Sequence, residues 1–253
     1  MKSVIAIAAH PDDIEFLMAG TLMRLGQAGY QLHYMNVANG SVGTTKLAVE
    51  TIVQIRREEA MSAAAQLGAT FHDSLCDDIS IFYDRPTLAR VASVIRQVQP
   101  DIVLTHSLSD YMEDHTNTCR LAVTAAFSRG MPNFAVEPPC DPVLKPVTIY
   151  HAQPYSHYDS LRQLVHPEFF VDVTELIAEK TSLLELHHSQ KQWLDESQGL
   201  DSYLATQRDL DRQCGKMSGR FEYAEGWRRH SHLGFCGPDD DPLRDALPTT
   251  VCN

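Results

Sequence analysis

Apolar and polar positions along the chain fall into segments of distinct period. Ser3 to Ala9 is a continuous apolar run ending at a polar turn, the pattern of a strand buried on both faces of a parallel sheet. From Ala19 to Gly29, Leu22, Met23 and Leu25 recur at helical spacing before a glycine stop, and Leu32 to Val37 reads as a second strand. Leu47 to Leu67, rich in Ala, Glu, Arg and Gln and closed by Gly68, predicts a long helix. Pro86 and Thr87 open another, with Leu88, Val91, Ile95 and Val98 on one face, and Pro100 stops it before the apolar strand Ile102 to Thr105. Residues 116–129 read as helix, 131–146 with five prolines as a surface loop, and Val147 to His151 and Phe169 to Val173 as strands. An amphipathic helix is expected over 174–194 with another after it, and the tail from Gly237 is expected to be extended and partly mobile.

Strand and helix alternating through the first half imply right-handed crossovers and an α/β fold. The expected architecture is a doubly wound, mainly parallel, Rossmann-like sheet with helices on both faces. A chain of 253 residues fits one such domain over 1–236 followed by the tail 237–253. Ligands in these sheets bind at the carboxyl ends of the strands. Two polar stretches stand there: His10, Pro11, Asp12 and Asp13 leave the first strand, and THSLSDYMEDHTNT after Thr105 places His106, Asp110, Asp114 and His115 in one loop.

His and carboxylate are ordinary zinc ligands, and His10 with Asp13 can converge on one ion across a turn fixed by Pro11. A catalytic zinc needs three protein ligands and an open position, which makes His115 the best third candidate, with Asp114 as a carboxylate that orients a ring. Asp12 then stands beside the metal as general base. Pro, Asp and Asp also make ordinary turns and N-caps, so the tetrad alone is evenly balanced; the second His-bearing loop tips it.

Composition narrows the partners. Lys and Arg total 21 against 33 Asp and Glu, a formal net charge of -12 that repels a phosphate backbone, so nucleic acid is not expected. No segment approaches transmembrane length, and the first apolar run meets His10 and two aspartates too soon for a signal-peptide core. Six scattered cysteines without a CxxC pair point to a reduced, cytoplasmic setting. The expected partner is a small molecule, neither nucleic acid nor membrane, and self-association into a homo-oligomer stays open.

The AHPDD at 9–13 and the DH at 114–115 resemble the PIG-L (LmbE-like) deacetylases, as do IRREEAMSAAAQLGA at 55–69 and VQPDIVLTH at 98–106. The resemblance covers most of the chain. It implies zinc on His10, Asp13 and His115, an Asp12 base, and hydrolysis of an N-acetyl group, commonly from an N-acetylglucosamine moiety. It also implies roles for Arg56 and Glu59, which the residue pattern alone reads as a solvated helix face. Mixed nitrogen and oxygen donors suit iron or another divalent ion as well.

One position departs from the family pattern. Many members carry HPDH, whose first His steadies the oxyanion, whereas this chain reads Met112, Glu113, Asp114, His115, and Met112 has no hydrogen to donate. The candidate replacements are Tyr111, His230 and His232, the last two ranked first as part of a lid over EGWRRHSHLGF at 225–235. Asp110 and His151 are candidate pocket residues, whereas His187 and His188 read as packing or surface positions. A zinc-dependent hydratase on the same scaffold is the alternative, disfavoured because such relatives look altered at HPDD. A metal- or sugar-binding module without turnover has no need of Asp12.

Overall fold

The computed structural model describes residues 1–198 and 203–253. Five strands run parallel: β1 (Ser3–Ala8), β2 (Gln31–Asn36), β3 (Thr70–His72), β4 (Ile102–Thr105) and β5 (Thr148–Ala152). Alternate residues of β1 enter opposite cores. Val4, Ala6 and Ala8 pack with Tyr34, Leu104 and Tyr150, while Ile5, Ile7 and Ala9 pack with Met35, Val103 and Ile149. Both faces are therefore dry, which is why the run is apolar without alternation.

The helices that cover these faces are α1 (Asp13–Leu17), α2 (Ala19–Gln27), α3 (Val49–Gln66), α4 (Arg85–Val98) and α5 (Glu113–Ser128). Leu22, Leu25, Ala60 and Ala64 seal one face with α2 and α3; Leu88, Val91 and Leu121 seal the other with α4 and α5. The helix expected to start at 116 begins at Glu113, so Asp114 and His115 sit in its first turn.

The second half adds β6 (Phe169–Asp172), α6 (Ile177–Glu185), α7 (His188–Gln198), α8 (Tyr203–Ser218), β7 (Ala224–Arg229), α9 (Pro242–Ala246) and β8 (Val251–Cys252). The whole sheet has the order β3-β2-β1-β4-β5-β7-β6-β8, with antiparallel pairing from β5 to β7, β7 to β6 and β6 to β8. The fold is the expected α/β sheet, mixed and mainly parallel, with an antiparallel extension.

Three expectations change. The helix expected over 174–194 breaks between α6 and α7, where His187 turns inward to lie 3.4 Å from Glu15 with both side chains fully buried. The basic stretch expected to act as a lid is locked into the sheet as β7, with Trp227 fully buried and donating to Thr21 Oγ1 at 2.9 Å. The tail is docked rather than extended. Leu243 and Leu247, one helical turn apart, enter the core, Tyr150 Oη donates to Asp241 and accepts from Leu243 N–H, and β8 extends the sheet edge.

A cluster of buried ions ties the halves together. Lys180 Nζ, fully buried, lies 2.9 Å from Asp211 and 2.7 Å from Glu225, while Glu225 also accepts the first amides of α2 from Gly20 and Thr21. All six cysteines are free, and among the described residues no helix is long and apolar enough to cross a membrane. From β1 the chain winds outward to β2 and β3, and from β4 the other way to β5. The order therefore reverses between β1 and β4, and a crevice opens above their carboxyl ends.

Candidate metal centre

The first polar loop leaves β1 in that crevice. His10 O accepts the Asp13 amide, and Asn36 Nδ2 on β2 also donates to it at 2.7 Å, so the turn is pinned to the sheet. Asp12 sits at φ 116°, a left-handed conformation rare outside glycine, held by the tight turn into α1. The second loop leaves β4 and delivers His115 on the first turn of α5.

His10 Nδ1 lies 3.4 Å from one oxygen of Asp13, and His115 Nε2 lies 3.4 Å from the other. These three side chains form one of the two groups whose donor atoms gather within the range of a single ion. Tetrahedral ligation with bonds of about 2.0–2.1 Å sets its donors roughly 3.3–3.4 Å apart, so the spacing fits a metal. The outer nitrogens are engaged: His10 Nε2 meets Asp114 Oδ2 and His115 Nδ1 meets Asp110 Oδ1, both at 3.0 Å. A carboxylate only accepts, so these outer nitrogens carry hydrogens, and His10 Nδ1 and His115 Nε2 on the inner side are the nitrogens that would give up theirs to an ion.

The other group, His106, Asp110 and His115, fits less well. His106 Nε2 already accepts the Ala9 amide at 2.8 Å, and its ring, kept neutral by burial, stacks on His115 with centroids 4.2 Å apart. Its 3.5 Å approach to Asp13 therefore joins two acceptors and is no hydrogen bond.

Charge in the centre favours a cation. Burial lowers the His10 ring's pKa, but Asp114 and Asp13 outweigh it and raise the value to about 9; Asp13 and Asp110 likewise take His115 up to about 10. Burial raises the Asp13 carboxyl, yet His115 and His10 hold it well below the usual range. Asp12 differs. Its Oδ2 accepts the Tyr203 hydroxyl at 2.7 Å and lies 3.7 Å from Arg56 Nη2, while burial lifts its carboxyl to about 6 against the pull of Arg56 and Tyr203.

Arg56 is buried, hydrogen-bonds Pro11 O and borders the cavity. It passes so close to the loop after β2 that a Cβ on Gly40 would stand 2.4 Å from its Cδ and one on Gly43 2.7 Å from its Nη1. Glu59, expected near the site, instead accepts Ser189 N and Oγ at 2.9 and 2.6 Å and ties α7 to α3. Asp110 orients His115 rather than facing the cavity. Asp114 pairs with His10 and also accepts the Ile79 amide at 2.7 Å.

The cavity above these groups measures ≈ 440 Å³ and includes His10, Asp12, Asp13, His115, Tyr111 and Met112 in its lining. Of the three oxyanion candidates, Tyr111 borders it, its ring edge-on to His115 at 5.7 Å. His230 and His232 line a different cavity of ≈ 220 Å³ with Glu168 and Asp240. The reason is the sheet: His230 N donates to Ile149 O, continuing the β7 ladder, so the segment runs past β5 and away from the metal loops. His151 faces the same side, its Nε2 2.9 Å from His230 Nδ1. Tyr203 and Phe16 were missed by sequence reasoning, and neither carries a local signal.

With this geometry established, known proteins give it context. The sequence profile of the PIG-L family, described as GlcNAc-PI de-N-acetylase, matches residues 5–126. Diacetylchitobiose deacetylase from Thermococcus kodakarensis is 30% identical over 238 residues, covering 90% of this chain and 83% of its own. The 4-oxalmesaconate hydratase of Pseudomonas putida is 28% identical over 236 residues, 89% of this chain and 88% of the relative. Among solved structures, N,N'-diacetylchitobiose deacetylase from Pyrococcus horikoshii superposes with a TM-score of 0.77 at 25% identity, covering 92% of this chain and 85% of that one. The 4-carboxy-2-hydroxymuconate hydratase from Pseudomonas putida does so at 0.75 and 25% identity, covering 90% and 96%. The chain belongs to the PIG-L, LmbE-like family.

Proposed function

We propose that this protein is a zinc-dependent amide hydrolase that releases acetate from a small N-acetylated molecule, with His10, Asp13 and His115 as ligands and Asp12 as general base. The observation that carries this reading is the pair of roles held side by side. Three donors at metal spacing converge on one point, and a carboxylate beside them is held by Tyr203 rather than by the ligand set. Two His and one carboxylate with an open position is the donor set of catalytic zinc.

When bound, the ion polarises the substrate carbonyl and lowers the pKa of water toward neutrality. The chain's own residues do the rest. Tyr203 and Arg56 occupy the Oδ2 side of Asp12, leaving Oδ1 to take the proton from the attacking water as its oxygen bonds to the carbonyl carbon. Asp12 then returns that proton to the nitrogen as the C–N bond breaks. Tyr111 supplies the donor that Met112 lacks; partial desolvation at the cavity edge and the carboxylates of Asp13 and Asp110 push its hydroxyl above the usual range, so it stays protonated. Asp110 and Asp114 fix the two imidazole rings from behind.

The hydratase reading fares worse on charge. Asp12, Asp13 and Asp78 line the cavity, and its one Arg or Lys among the described lining residues, Arg56, is already held by Asp12 and Pro11 O. A carboxylated substrate such as the one the hydratase relative is named for would find no free Arg or Lys among the described lining residues and only the bound ion to meet its charge. The test is release of acetate from a panel of N-acetylated compounds, with and without a chelator. Release that stops on chelation and returns with zinc is expected; hydration of an unsaturated carboxylic acid without acetate release would overturn the reading.

A further inference from the structure

The cavity wall beside the charged groups is a chain of rings. Tyr203 meets Phe16 edge-on at 5.1 Å, Phe16 meets Tyr155 at 5.6 Å, Tyr155 lies 6.1 Å from Tyr111, and Tyr111 reaches His115 at 5.7 Å. Rings thus run without a break from the partner of the base to a metal ligand. Met112 and Trp193 add apolar surface to the lining.

The mouth is apolar as well. Val42 is 53% exposed, Ile79 69% and Tyr111 56%, and all three border the cavity. Ile79 holds φ 60°, a left-handed conformation that a β-branched residue adopts only when its surroundings compel it. Here the compulsion is the bond from its amide to Asp114, which leaves its side chain at the rim rather than in a core. Such strain gathers at functional sites.

Polar recognition is sparse by contrast. Asp78, which borders the cavity, has its two oxygens on the amides of Gly40 and Val42, at 2.7 and 3.3 Å. Arg56 is engaged as described. Gln190 Oε1, buried without a hydrogen-bond partner among the described residues, is left to accept from a ligand hydroxyl or amide. A site built to hold a multiply hydroxylated ligand carries convergent donors and acceptors around it; beyond the metal loops, Arg56, Asp78 and Gln190, this one carries rings, three of them tyrosines, and aliphatic side chains.

We infer that the preferred substrate bears an apolar group, aryl or alkyl, next to the N-acetylated centre, and that this group leaves the cavity between Val42, Ile79 and Tyr111. The inference rests on the amide-hydrolase reading for the identity of the reacting group. It is separable from it in experiment. Binding is measured calorimetrically with zinc-loaded Asp12→Asn protein, using N-acetylglucosamine and its phenyl glycoside. The phenyl glycoside is expected to bind at least about tenfold more tightly, in line with burial of one ring. Val42→Ser and Ile79→Gly are expected to reduce that advantage at least about threefold and to leave the parent sugar within about twofold. Ile79→Gly also relaxes the left-handed backbone, which guards against misfolding. Equal affinity for the two ligands, or no binding of either, overturns the inference whatever the turnover. Acetate release by the wild-type protein from the same pair judges the hydrolase reading by itself.

Discussion

Replacing Tyr203 by Phe removes one hydroxyl from the interior and nothing else. The ring keeps its edge-on contact with Phe16 at 5.1 Å, so the packing of α8 against α1 survives. What is lost is the 2.7 Å bond to Asp12 Oδ2, made where both residues are buried. A hydrogen bond to a charged group is worth about 1.5–3 kcal/mol. If that bond aligns the ionised base, its loss lowers kcat roughly ten- to hundredfold, since about 1.4 kcal/mol corresponds to a factor of ten. The same bond favours the charged carboxylate, which burial has already lifted to about 6. Without it the pKa rises further, the base is protonated at higher pH, and the acid limb of kcat/KM moves up by roughly one to two pH units. A bound cation lowers the limb in wild type and variant alike, so the displacement between them is the quantity to read. The assay is acetate release across pH 5–9 with metal content measured on the same samples. A variant with full metal, kcat within about twofold of wild type and an unmoved acid limb would refute the reasoning.

Other outcomes follow from the same geometry. His10→Ala, Asp13→Ala and His115→Ala are expected to lose the metal by elemental analysis, whereas Asp12→Asn keeps it and loses turnover by about a hundredfold or more. Asp110→Asn should weaken metal affinity roughly ten- to hundredfold in a competition titration, because His115 loses the carboxylate that fixes its tautomer. Lys180→Met strands Asp211 and Glu225 in the interior and should cost about 3–5 kcal/mol in chemical denaturation; a loss below about 1 kcal/mol would show the cluster to be incidental. His151 is buried, and desolvation, aided by His230 and Arg228, lowers its pKa from 6.5 to about 4, so the folded ring stays neutral where the unfolded one takes a proton. Its contribution is complete above pH 6.5 and fades as pH falls toward 4, up to about 3 kcal/mol; His151→Asn should flatten that part of the stability profile relative to wild type.

The residues that gather in the candidate metal centre could be picked out of the sequence because their signals are local. A continuous apolar run followed at once by HPDD marks a buried strand and a polar turn, and the second loop repeats the sign after Ile102–Thr105. What lay beyond the reach of sequence was partnership across distance. Tyr203 stands 191 positions from the carboxylate it holds, and nothing in YLATQRDL distinguishes it from a helix residue facing the core. Asp110 looked like a pocket residue because its spacing to His115 does not reveal that the side chain folds behind the ring. The strand β7 was hidden by its composition. AEGWRR carries a glycine and three charges, and only burial of Glu225 against Lys180 and the start of α2 explains how it enters a sheet. The tail misled through its aspartates, since Leu243 and Leu247 are too few to signal a docked helix but enough to bury one.

The division of the chain bears on how one scaffold serves both deacetylases and a hydratase at 28–30% identity. The profile match over residues 5–126 contains every proposed ligand, the base, and both carboxylates that orient the rings. All of these hang from strand ends whose register is fixed by the parallel sheet, where a shift of one residue would turn each side chain to the wrong face. Tyr155, which follows β5, and Trp193 and Tyr203 on α7 and α8 wall the cavity from outside that stretch. Those elements meet the metal loops through side-chain contacts rather than ladder hydrogen bonds, so their residues can change without displacing a ligand. On the proposed reading the metal chemistry therefore falls to the first half of the chain. What the cavity accepts is shared, since Val42, Ile79 and Tyr111 at its mouth come from the first half and Tyr155, Trp193 and Tyr203 from the second, and the hydroxyl of Tyr203 is the point where the two meet at the base.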